Sequence, residues 1–382
     1  MRAEAPRQVL MTADTVGGVW THAIELAGAL RERGMRVSLA TMGRALSPAQ
    51  RAQAAALAGD GMSLHESRWK LEWMDAPWDE VRAAGEWLLE LEAVLRPDVV
   101  HLNQFAFGAL PFAAAKLVVA HSCVASWWRA VHRCAAPAEW NTYRDVVRRG
   151  LEGADLVGAP TEAMLAALAL DHRYRRGGLV LPNGRDPARF AAGAKAPFIL
   201  SAGRLWDAAK NLSALEAVAP RLPWPVRVAG ATAAPGDAAL TAAHASAVQW
   251  LGELAPEALA AQLAQAAIYA LPARYEPFGL SALEAGLSGC ALVLGDLPSL
   301  REVWGDAALY VPPEDHEALH AALLSLIGDD ALRARMAQKA LARARHFSPA
   351  RMADAYLGAY RRLCAAPLPR AHSNTKEPAC AS

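Results

Sequence analysis

Short apolar runs alternate with longer amphipathic segments along most of the chain. The first unit holds an apolar run at 9–11, a loop, a helix predicted over about 19–33 from its apolar period, the stop signal Gly34 and the apolar run VSLAT. Strand, helix and strand in this order build a mostly parallel sheet that helices cover on both faces. The pattern therefore predicts an α/β protein made of doubly wound units.

The alternation forms two series with an irregular segment between them. The apolar runs of the first series continue at 98–102, 117–120 and 156–159, and Thr161 is placed to cap the next helix. Those of the second series are PFILSAG, VRVAG, VQWLG, IYALP and ALVLG. Residues 181–196 contain prolines and glycines but no period, which is typical of an interdomain hinge. We therefore predict one domain over 1–182 and a second over 183–348.

The chain becomes almost wholly helical after Pro312. We expect the last helix, at 349–364, to pack back against the first domain. The remaining residues, 365–382, are polar and contain prolines, which predicts a flexible tail.

Composition narrows the class of protein. With 382 residues, of which 54% are hydrophobic and 20% charged, the chain can bury large cores, which excludes disordered and fibrous classes. The 39 Lys and Arg residues nearly balance the 38 Asp and Glu residues, for a net charge of +1. This balance provides no broad positive field, so we expect no nucleic-acid partner.

Cysteines and hydropathy indicate a cytoplasmic location. The five cysteines are scattered and form no C-x-x-C pair, which predicts free thiols in a reducing compartment. The start of the chain, MRAEAPRQVLM, lacks the apolar stretch of a secretion signal. No uncharged run reaches the roughly 18 to 20 residues of a spanning helix, so we expect no integral membrane segment. Peripheral contact with the inner face of a membrane stays open, because Trp127 and Trp128 adjoin Arg129 and Arg133; the alternative is that both tryptophans belong to the core.

Two cations follow the strand predicted at FILSA, in the loop GRLWDAAKN. Gly203 and Arg204 lie directly after the strand, and Lys210 stands at the start of the next helix. A helix N-terminus offers unpaired amides and about half a positive charge, so together with these cations it suits a diphosphate. The alternative is an arginine and a lysine on a solvated loop.

Two glutamates lie eight residues apart in the segment RYEPFGLSALEAGLSG. Glu276 precedes the helix that Gly279 opens and Glu284 lies within it, so both carboxylates project toward one side of the predicted cleft. A carboxylate accepts hydrogen bonds from two neighbouring hydroxyls, as sugars and riboses present them. The alternative makes Glu276 a helix-dipole residue and Glu284 a surface charge, which fits poorly because this helix is apolar on most faces.

Weaker candidates lie in the first domain. Gly17 and Gly18 precede the first helix and permit close approach of a ligand, although a tight turn explains them equally well and no G-x-G-x-x-G or P-loop motif occurs there. His121 follows a strand end, where it either binds a substrate or is a satisfied core histidine. No Asp-x-Asp triplet and no G-x-S-x-G elbow occur, so we expect no metal site and no serine hydrolase of that kind.

These motifs, in this order, resemble those of the retaining glycosyltransferases of family 4, which have the GT-B fold. GRLWDAAKN is followed by EPFGLSALE and then by GCALVLGDLPSLREV, while VGGVW, AHS, APT and PNG precede them in the expected order. The resemblance spans nearly the whole chain. It implies two Rossmann-like domains with mostly parallel sheets facing across a cleft, the first on the acceptor side and the second on the side of the nucleotide-sugar donor.

The resemblance also implies a role for each matched residue. Arg204 and Lys210 would bind the diphosphate and stabilise the leaving group. Glu276 would hold hydroxyls of the transferred sugar, Glu284 would hold the ribose hydroxyls, and His121 would lie against the sugar. The further donor-binding positions that the match implies are Gly17, Gly18, Asn183, Gly203, Phe278, Gly279 and Leu280.

The expected reaction moves a sugar from a nucleotide-diphosphate sugar to an acceptor hydroxyl with retention of anomeric configuration. The resemblance implies that no metal or cofactor is obligatory, that the acceptor attacks from the leaving-group face and that the departing phosphate takes its proton. The acceptor would be a glycan or a lipid-linked molecule, in glycan, polysaccharide or glycolipid synthesis.

Other functions on this fold stay as alternatives. An inactive GT-B subunit that binds nucleotide sugars would be expected to lose one of the four charged site residues, and all four are present. A sugar-nucleotide epimerase or a phosphorylase is the other alternative. The chain departs from the family pattern in two places: the loop WDAA is one residue longer than in many members, and Arg185 and Asp186 follow PNG in place of the common Val-Asp.

Overall fold

The computed structural model describes residues 6–59, 61–233 and 247–365. The strands of this part of the chain form one sheet of seven strands and one of six, and every strand pair in the two sheets is parallel. Each sheet separates two apolar cores. The predicted α/β, doubly wound architecture is therefore confirmed.

The first sheet is built from the first half of the chain. Its strands are β1 (Gln8–Asp14), β2 (Arg36–Met42), β3 (Met62–Glu66), β4 (Val99–Leu102), β5 (Ala115–Val119), β6 (Leu156–Ala159) and β7 (Leu179–Val180). Their order is β3-β2-β1-β4-β5-β6-β7. Val9 and Met11 of β1 face one core and Leu10 faces the other, as the side-chain period of a strand requires.

The second sheet follows the irregular segment. Its strands are β8 (Ala196–Ala202), β9 (Val226–Ala229), β10 (Gln249–Gly252), β11 (Ala266–Leu271), β12 (Ala291–Gly295) and β13 (Leu309–Val311), in the order β10-β9-β8-β11-β12-β13. Three edge strands, β3, β7 and β13, were not predicted. They have five, two and three residues and are mostly half-buried, so their apolar signal is weak.

Helices connect the strands and cover both sheets. In the first half they are α1 (Gly18–Arg31), α2 (Pro48–Leu57), α3 (Trp78–Leu95), α4 (Val124–His132), α5 (Asn141–Gly153) and α6 (Glu162–His172). In the second they are α7 (Leu212–Val218), α8 (Pro256–Gln265), α9 (Leu280–Leu287), α10 (Pro298–Trp304), α11 (His316–Gly328), α12 (Asp330–Ala344) and α13 (Pro349–Ala365). The predicted cap at Thr161 is confirmed, because its hydroxyl accepts a hydrogen bond from the Met164 amide at 3.1 Å.

The last helix returns to the first sheet. Buried residues of α13, among them Met352, Tyr356 and Tyr360, belong to the same core as α1 and one face of β1. An ion pair of 2.7 Å between Arg33 and Asp354 adds a contact at the surface. Of the predicted tail, residues 366–382 lie outside the described part of the chain.

Two further properties concern the helices and cysteines of the described residues. None of the helices is at once long and apolar enough to cross a bilayer. The four cysteines within the described ranges are free thiols, as predicted, and Cys380 lies outside these ranges.

Candidate active site

A cleft of about 770 Å³ lies between the two sheets. Its first wall is formed by loops that follow strands of the first sheet and by the start of α1, and it includes Asp14 and His121. Its second wall is formed by loops that follow strands of the second sheet and by the start of α9. All the residues predicted as catalytic or donor-binding line this cleft: Gly17, Gly18, His121, Asn183, Gly203, Arg204, Lys210, Glu276, Phe278, Gly279, Leu280 and Glu284.

A half-buried ion pair joins two loops of the second wall. Lys210 ends a short 3₁₀ turn after β8, and its Nζ lies 2.6 Å from Oε2 of Glu276, which precedes α9. The other carboxylate oxygen, Oε1, accepts a hydrogen bond of 2.9 Å from the Gly279 amide. Gly279 has a φ of +90°, a left-handed conformation that suits glycine. The Glu276 carboxylate is thus held between a cation and a backbone amide.

Arg204 is the more open of the two cations. Its side chain is 41% exposed, lies 2.9 Å from Asp207 Oδ2 and stacks over the Trp206 ring. Asp207 is buried, and its Oδ1 accepts hydrogen bonds of 2.9 Å from the Trp127 indole and from the Ala209 amide. Trp127 belongs to α4, so this bond crosses from the first half of the chain to the second wall. The Arg204 guanidinium is anchored at one nitrogen and otherwise faces the cleft.

Glu284 is half-buried in the cleft, with 12% of its side chain exposed, and does not lie on the open surface. Its Oε1 lies 2.9 Å from Nε of Arg185, and Nη1 of Arg185 donates to Oε1 of Glu25 in α1 at 2.5 Å. Arg189 lies 3.8 Å from the same Glu25 oxygen. Burial raises the pKa of Glu284, and the positive charge of Arg185 opposes that rise. One buried arginine therefore joins two half-buried carboxylates, one from each half of the chain.

Two titratable side chains of the first wall, His121 and Asp14, lie where burial disfavours charge. The His121 ring packs against His22 of α1, with ring centroids 4.5 Å apart. Burial lowers the pKa of His22 to about 4 and holds the pKa of His121 well below its usual range. Asp14, at the end of β1, is also buried, and burial raises its pKa to about 7. Histidine and carboxyl groups on this wall are both shifted toward their neutral forms.

The glycine pair of the first loop touches the second wall. Gly17 has a φ of +80°, and a Cβ built on it would lie 3.8 Å from Nη1 of Arg204. A Cβ on Gly18 would lie 3.1 Å from Cδ1 of Leu280, which is closer than ordinary contact. Because a larger residue at Gly18 would press on the start of α9, small residues here let the two walls meet.

The other predicted positions lie around these charges. A Cβ on Gly203 would come within 3.7 Å of the Lys210 side chain. The Phe278 ring is buried and packs edge-on against Phe347 at 5.4 Å, so we expect its backbone and not its ring to meet a ligand. Asn183 is buried where the chain passes from one sheet to the other.

Asp14 was not predicted for the site, and neither were four residues that bind its charged side chains: Glu25, Trp127, Arg185 and Asp207. Their contacts join positions 160 and 80 residues apart, a separation that no local pattern reveals. Arg185 alone carried a signal, since it departs from the family pattern after PNG. The departure marks the residue that pairs with Glu284.

Metal-binding groups are not assembled in the described ranges, where no three histidine, cysteine or acidic side chains are placed to hold an ion. The segment HEALH at 316–320 fits the H-E-x-x-H pattern. It lies on α11, away from the residues that line the cleft, and Glu317 pairs there with Arg221. This segment has the local spacing of a zinc motif without a third ligand among the described residues.

Two family models match consecutive parts of the chain. Residues 16–189 match the model described as Glycosyltransferase Family 4, and residues 184–343 match the one described as Glycosyl transferases group 1. Together the two models cover residues 16–343, and the chain belongs to the glycosyltransferases that they describe. The resemblance noted in its motifs is therefore confirmed, and the matched residues of this family member reach from the loop after β1 into α12.

Curated relatives match over shorter stretches. The O-antigen chain mannosyltransferase B of Escherichia coli is 35% identical over 116 residues, which are 30% of this chain and 30% of that protein. The phosphatidyl-myo-inositol mannosyltransferase of Mycolicibacterium smegmatis is 33% identical over 103 residues, which are 26% of this chain and 27% of that protein. The chain thus matches about three tenths of the length of these relatives.

Solved structures match nearly from end to end. Sucrose-phosphate synthase from Thermosynechococcus elongatus superposes with a TM-score of 0.76 at 20% identity, over 94% of this chain and 99% of that one. Anabaena HepE, solved with UDP and glucose, superposes with a TM-score of 0.68 at 15% identity, over 93% and 99%. At these identities the likeness establishes the fold alone, and that fold is the predicted GT-B.

Proposed function

We propose that this protein transfers a sugar from a nucleotide-diphosphate sugar to an acceptor hydroxyl. The observation that carries the proposal is the second wall, where two cations and two carboxylates line one cleft at the start of α9. Cations suit a diphosphate and carboxylates suit vicinal hydroxyls. A nucleotide-diphosphate sugar contains both groups, and membership of the family supports the same donor.

In this proposal the second wall binds the donor. Arg204 and Lys210 neutralise the diphosphate as its bond to the sugar breaks, which is the electrostatic stabilisation that often contributes most to catalysis. Glu276 accepts hydrogen bonds from the transferred sugar, and Glu284 accepts them from the ribose. His121 contacts the sugar from the first wall. Amides near Gly279, together with the other predicted positions, complete the donor site.

The reaction we propose retains the anomeric configuration and requires no metal or cofactor. The bond between sugar and phosphate loosens, positive charge grows on the anomeric carbon, and the acceptor hydroxyl attacks from the face that the phosphate leaves. The departing phosphate takes the proton of that hydroxyl. Supporting this route, the predicted site offers no obvious nucleophile beside a general base, and Arg204 and Lys210 supply charge that a metal would otherwise provide.

The two halves of the chain would divide the substrates. We assign the acceptor to residues 1–182 together with the helix at 349–364, and the donor to residues 183–348. The packing of α13 against the core of α1 supports the first assignment. The position of Arg204, Lys210, Glu276 and Glu284 supports the second.

Names of the relatives suggest classes of substrate. HepE was solved with UDP and glucose, and the matched enzymes of Escherichia coli and Mycolicibacterium smegmatis are named as mannosyltransferases for an O-antigen chain and for phosphatidyl-myo-inositol. We therefore propose a hexose donor and a glycan or lipid-linked acceptor, in glycan, polysaccharide or glycolipid synthesis.

A lipid-linked acceptor would bring the protein to the inner face of a membrane, and we propose a cytoplasmic protein with peripheral contact there. Trp127 already donates a hydrogen bond inside the molecule, so Trp128 and Arg133 would have to provide much of the contact. Flotation with anionic liposomes at low salt tests this. Absence of the protein from the floating fraction would contradict it.

The donor assignment is tested by thermal shift and hydrolysis with UDP-, GDP-, ADP- and dTDP-sugars, each with and without EDTA. A ligand at ten times its Kd stabilises a protein by about 1.4 kcal/mol, which moves the Tm by a few degrees. We expect one class of donor to shift the Tm, to do so in EDTA, and to lose the effect in Glu284→Ala. Glu317→Ala is the matched control, since Glu317 lies exposed on α11 outside the cleft.

Three outcomes separate the alternatives. No shift with any donor would contradict the donor site. A shift without hydrolysis or transfer to any glycan acceptor would favour the inactive binding subunit, and conversion of the donor to an isomer would favour the epimerase.

A further inference from the structure

A buried network of hydrogen bonds lies behind His121. Asn103, in the loop after β4, places its Oδ1 2.7 Å from Nε2 of His121 and 3.1 Å from Nε2 of His101. On the far side of His101, its Nδ1 lies 2.8 Å from the Tyr360 hydroxyl of α13. The contacts thus run without a break from the last helix to the cleft.

The orientation of the Asn103 amide follows from its other contacts. Its Nδ2 donates to the carbonyl of Thr12 at 2.6 Å, and its backbone amide donates to the Thr12 hydroxyl at 2.8 Å. The side-chain nitrogen is therefore turned toward β1, and the oxygen faces the two histidines. Because a carboxamide oxygen only accepts hydrogen bonds, both facing Nε2 atoms must carry hydrogen.

The two rings hold one hydrogen each. Burial holds the pKa of His101 and of His121 well below the usual range, and the titratable groups that face His121, His22 on α1 and His101 on β4, lower it further. In a neutral ring with hydrogen on Nε2, Nδ1 carries a lone pair. At His101 that lone pair accepts from Tyr360, which agrees with the assignment.

We propose that Asn103 sets the ring tautomer of His121, so that Nδ1 of His121 accepts a hydrogen bond from a hydroxyl of the transferred sugar. His121 is half-buried and lines the cleft, and within the described residues its Nδ1 has no hydrogen-bond partner. The part that concerns the sugar rests on the proposed function. Asn103 is a positioning residue, since it acts through His121.

This tautomer would decide which part of the donor His121 can meet. A lone pair needs a ligand atom that carries hydrogen, and a sugar hydroxyl supplies one. An ionised diphosphate offers only acceptors, so it cannot pair with this nitrogen and is left to Arg204 and Lys210. The neutral histidine would thus hold the sugar on the first wall and keep the diphosphate on the second.

Nitrogen NMR tests the tautomer directly. Long-range nitrogen–proton correlation spectra of protein labelled with ¹⁵N-histidine at pH 7.5 distinguish the two neutral forms, and His121→Phe assigns the signal. We expect a single Nε2-protonated form for His121, and a mixture of tautomers in Asn103→Ala. A ring protonated at Nδ1 in the unaltered protein would overturn the proposal, whether or not the variant folds.

A pH profile tests the consequence for catalysis. In Asn103→Asp a carboxylate faces His121 and favours the imidazolium, whose Nδ1 carries hydrogen and can no longer accept. We expect kcat of this variant to be roughly tenfold below that of the unaltered protein at pH 6.5, the effect of one lost hydrogen bond, and to recover by pH 8.5. Asn141→Asp, an equal charge change at the exposed first residue of α5, should keep the original profile.

The two readouts separate the inference from the proposed function. An unchanged profile in Asn103→Asp would overturn the role in catalysis, because a purely structural Asn103 would alter stability and not the pH dependence. If NMR shows His121 protonated at Nε2 but the protein turns over no donor, the proposed function fails while the tautomer assignment stands. If sugar is transferred by a protein with His121 protonated at Nδ1, the inference fails alone.

Discussion

The two walls of the cleft treat charge in opposite ways. On the second wall, Lys210 with Glu276 and Arg185 with Glu284 stay close as oppositely charged pairs, at 2.6 and 2.9 Å. On the first wall, His121 and Asp14 are shifted by burial toward their neutral forms. A charged group buried without a partner is costly, so burial favours the neutral form, and a partner of opposite charge opposes that shift, as Arg185 does at Glu284.

The difference shows how one cleft can hold a ligand that is charged at one end and neutral at the other. In the proposed function, the wall with the ion pairs receives the phosphates and the wall of His121 receives hydroxyls. The comparison also has consequences for stability, and the following changes are expected to break or sharpen it.

Removing Arg185 should have the largest effect. In Arg185→Met, the half-buried carboxylates of Glu25 and Glu284 lose their shared, buried cation, and breaking a buried pair costs about 3–5 kcal/mol of unfolding free energy. Urea unfolding at pH 7 measures the loss. Adding Glu25→Gln and Glu284→Gln should restore part of it, whereas Arg189→Met, which removes a more distant and more exposed cation, should cost less. Equal losses in Arg185→Met and Arg189→Met would contradict the central place of Arg185.

Replacing Lys210 should have the next largest effect, on catalysis. Lys210→Ala removes a cation that the proposed leaving group needs, which is expected to raise the barrier by about 2–4 kcal/mol, as loss of an oxyanion-hole donor does. Steady-state kcat/KM for sugar transfer measures this. Lys339→Ala is the control, because Lys339 makes an ion pair of the same 2.6 Å length with Asp306 on the surface. A change of less than threefold in Lys210→Ala would exclude the proposed role.

The neutral wall should appear in the pH dependence of stability. His22 has a pKa lowered to about 4 by burial, so the unfolded chain takes up a proton below about pH 6.5 that the folded protein refuses. The contribution of neutral His22 to the stability of the fold is therefore complete above pH 6.5 and is lost as the pH falls toward 4. Between pH 6 and 5, we expect the unfolding free energy of the unaltered protein to fall by about 1 kcal/mol more than that of His22→Phe. Urea unfolding at pH 6 and pH 5 measures this difference. Equal losses in the two proteins would show that His22 is protonated in the folded protein.

Asp14, on the same wall, should change stability with pH in the opposite direction to His22. Its pKa is raised to about 7, so the folded protein holds a proton that the unfolded chain releases above about pH 4, and its contribution to stability decreases as the pH rises from 4 to 7. His22 therefore destabilises the folded protein at low pH, and Asp14 destabilises it at high pH.

The smallest effect should come from the contact that crosses between the walls. Trp127→Phe removes the indole N–H that Asp207 accepts at 2.9 Å, and a hydrogen bond of this kind contributes about 0.5–1.5 kcal/mol. Because Asp207 also holds Arg204, we expect a drop in kcat/KM of roughly two- to tenfold. Trp140→Phe is a matched control, since the Trp140 indole nitrogen has no hydrogen-bond partner in the described part of the chain. Equal effects of the two substitutions would indicate lost packing and not a lost hydrogen bond.

The sequence by itself determined the α/β class, the central strands and the segments that surround the cleft. These features depend on local signals: the apolar period of a run such as FILSA, a cap such as Thr161, or the left-handed Gly279 before α9. A strand buried on both faces must be apolar throughout, so β8 and β11 were predictable. The short, half-buried edge strands β3 and β7 lack that signal and were missed.

Only the tertiary structure decided which charges pair and which groups stay neutral. Arg185 reaches Glu25 of α1 across 160 positions. Asn103 meets His121 across 18 positions because the neighbouring parallel strands β4 and β5 bring their carboxyl ends to one edge. The side chains are common polar residues whose chemistry depends on burial and partners, and neither can be read from neighbours along the chain. Sequence could therefore name Glu284 and His121 as candidates, while the fold determined that the first lies beside a cation and that burial shifts the second toward its neutral form.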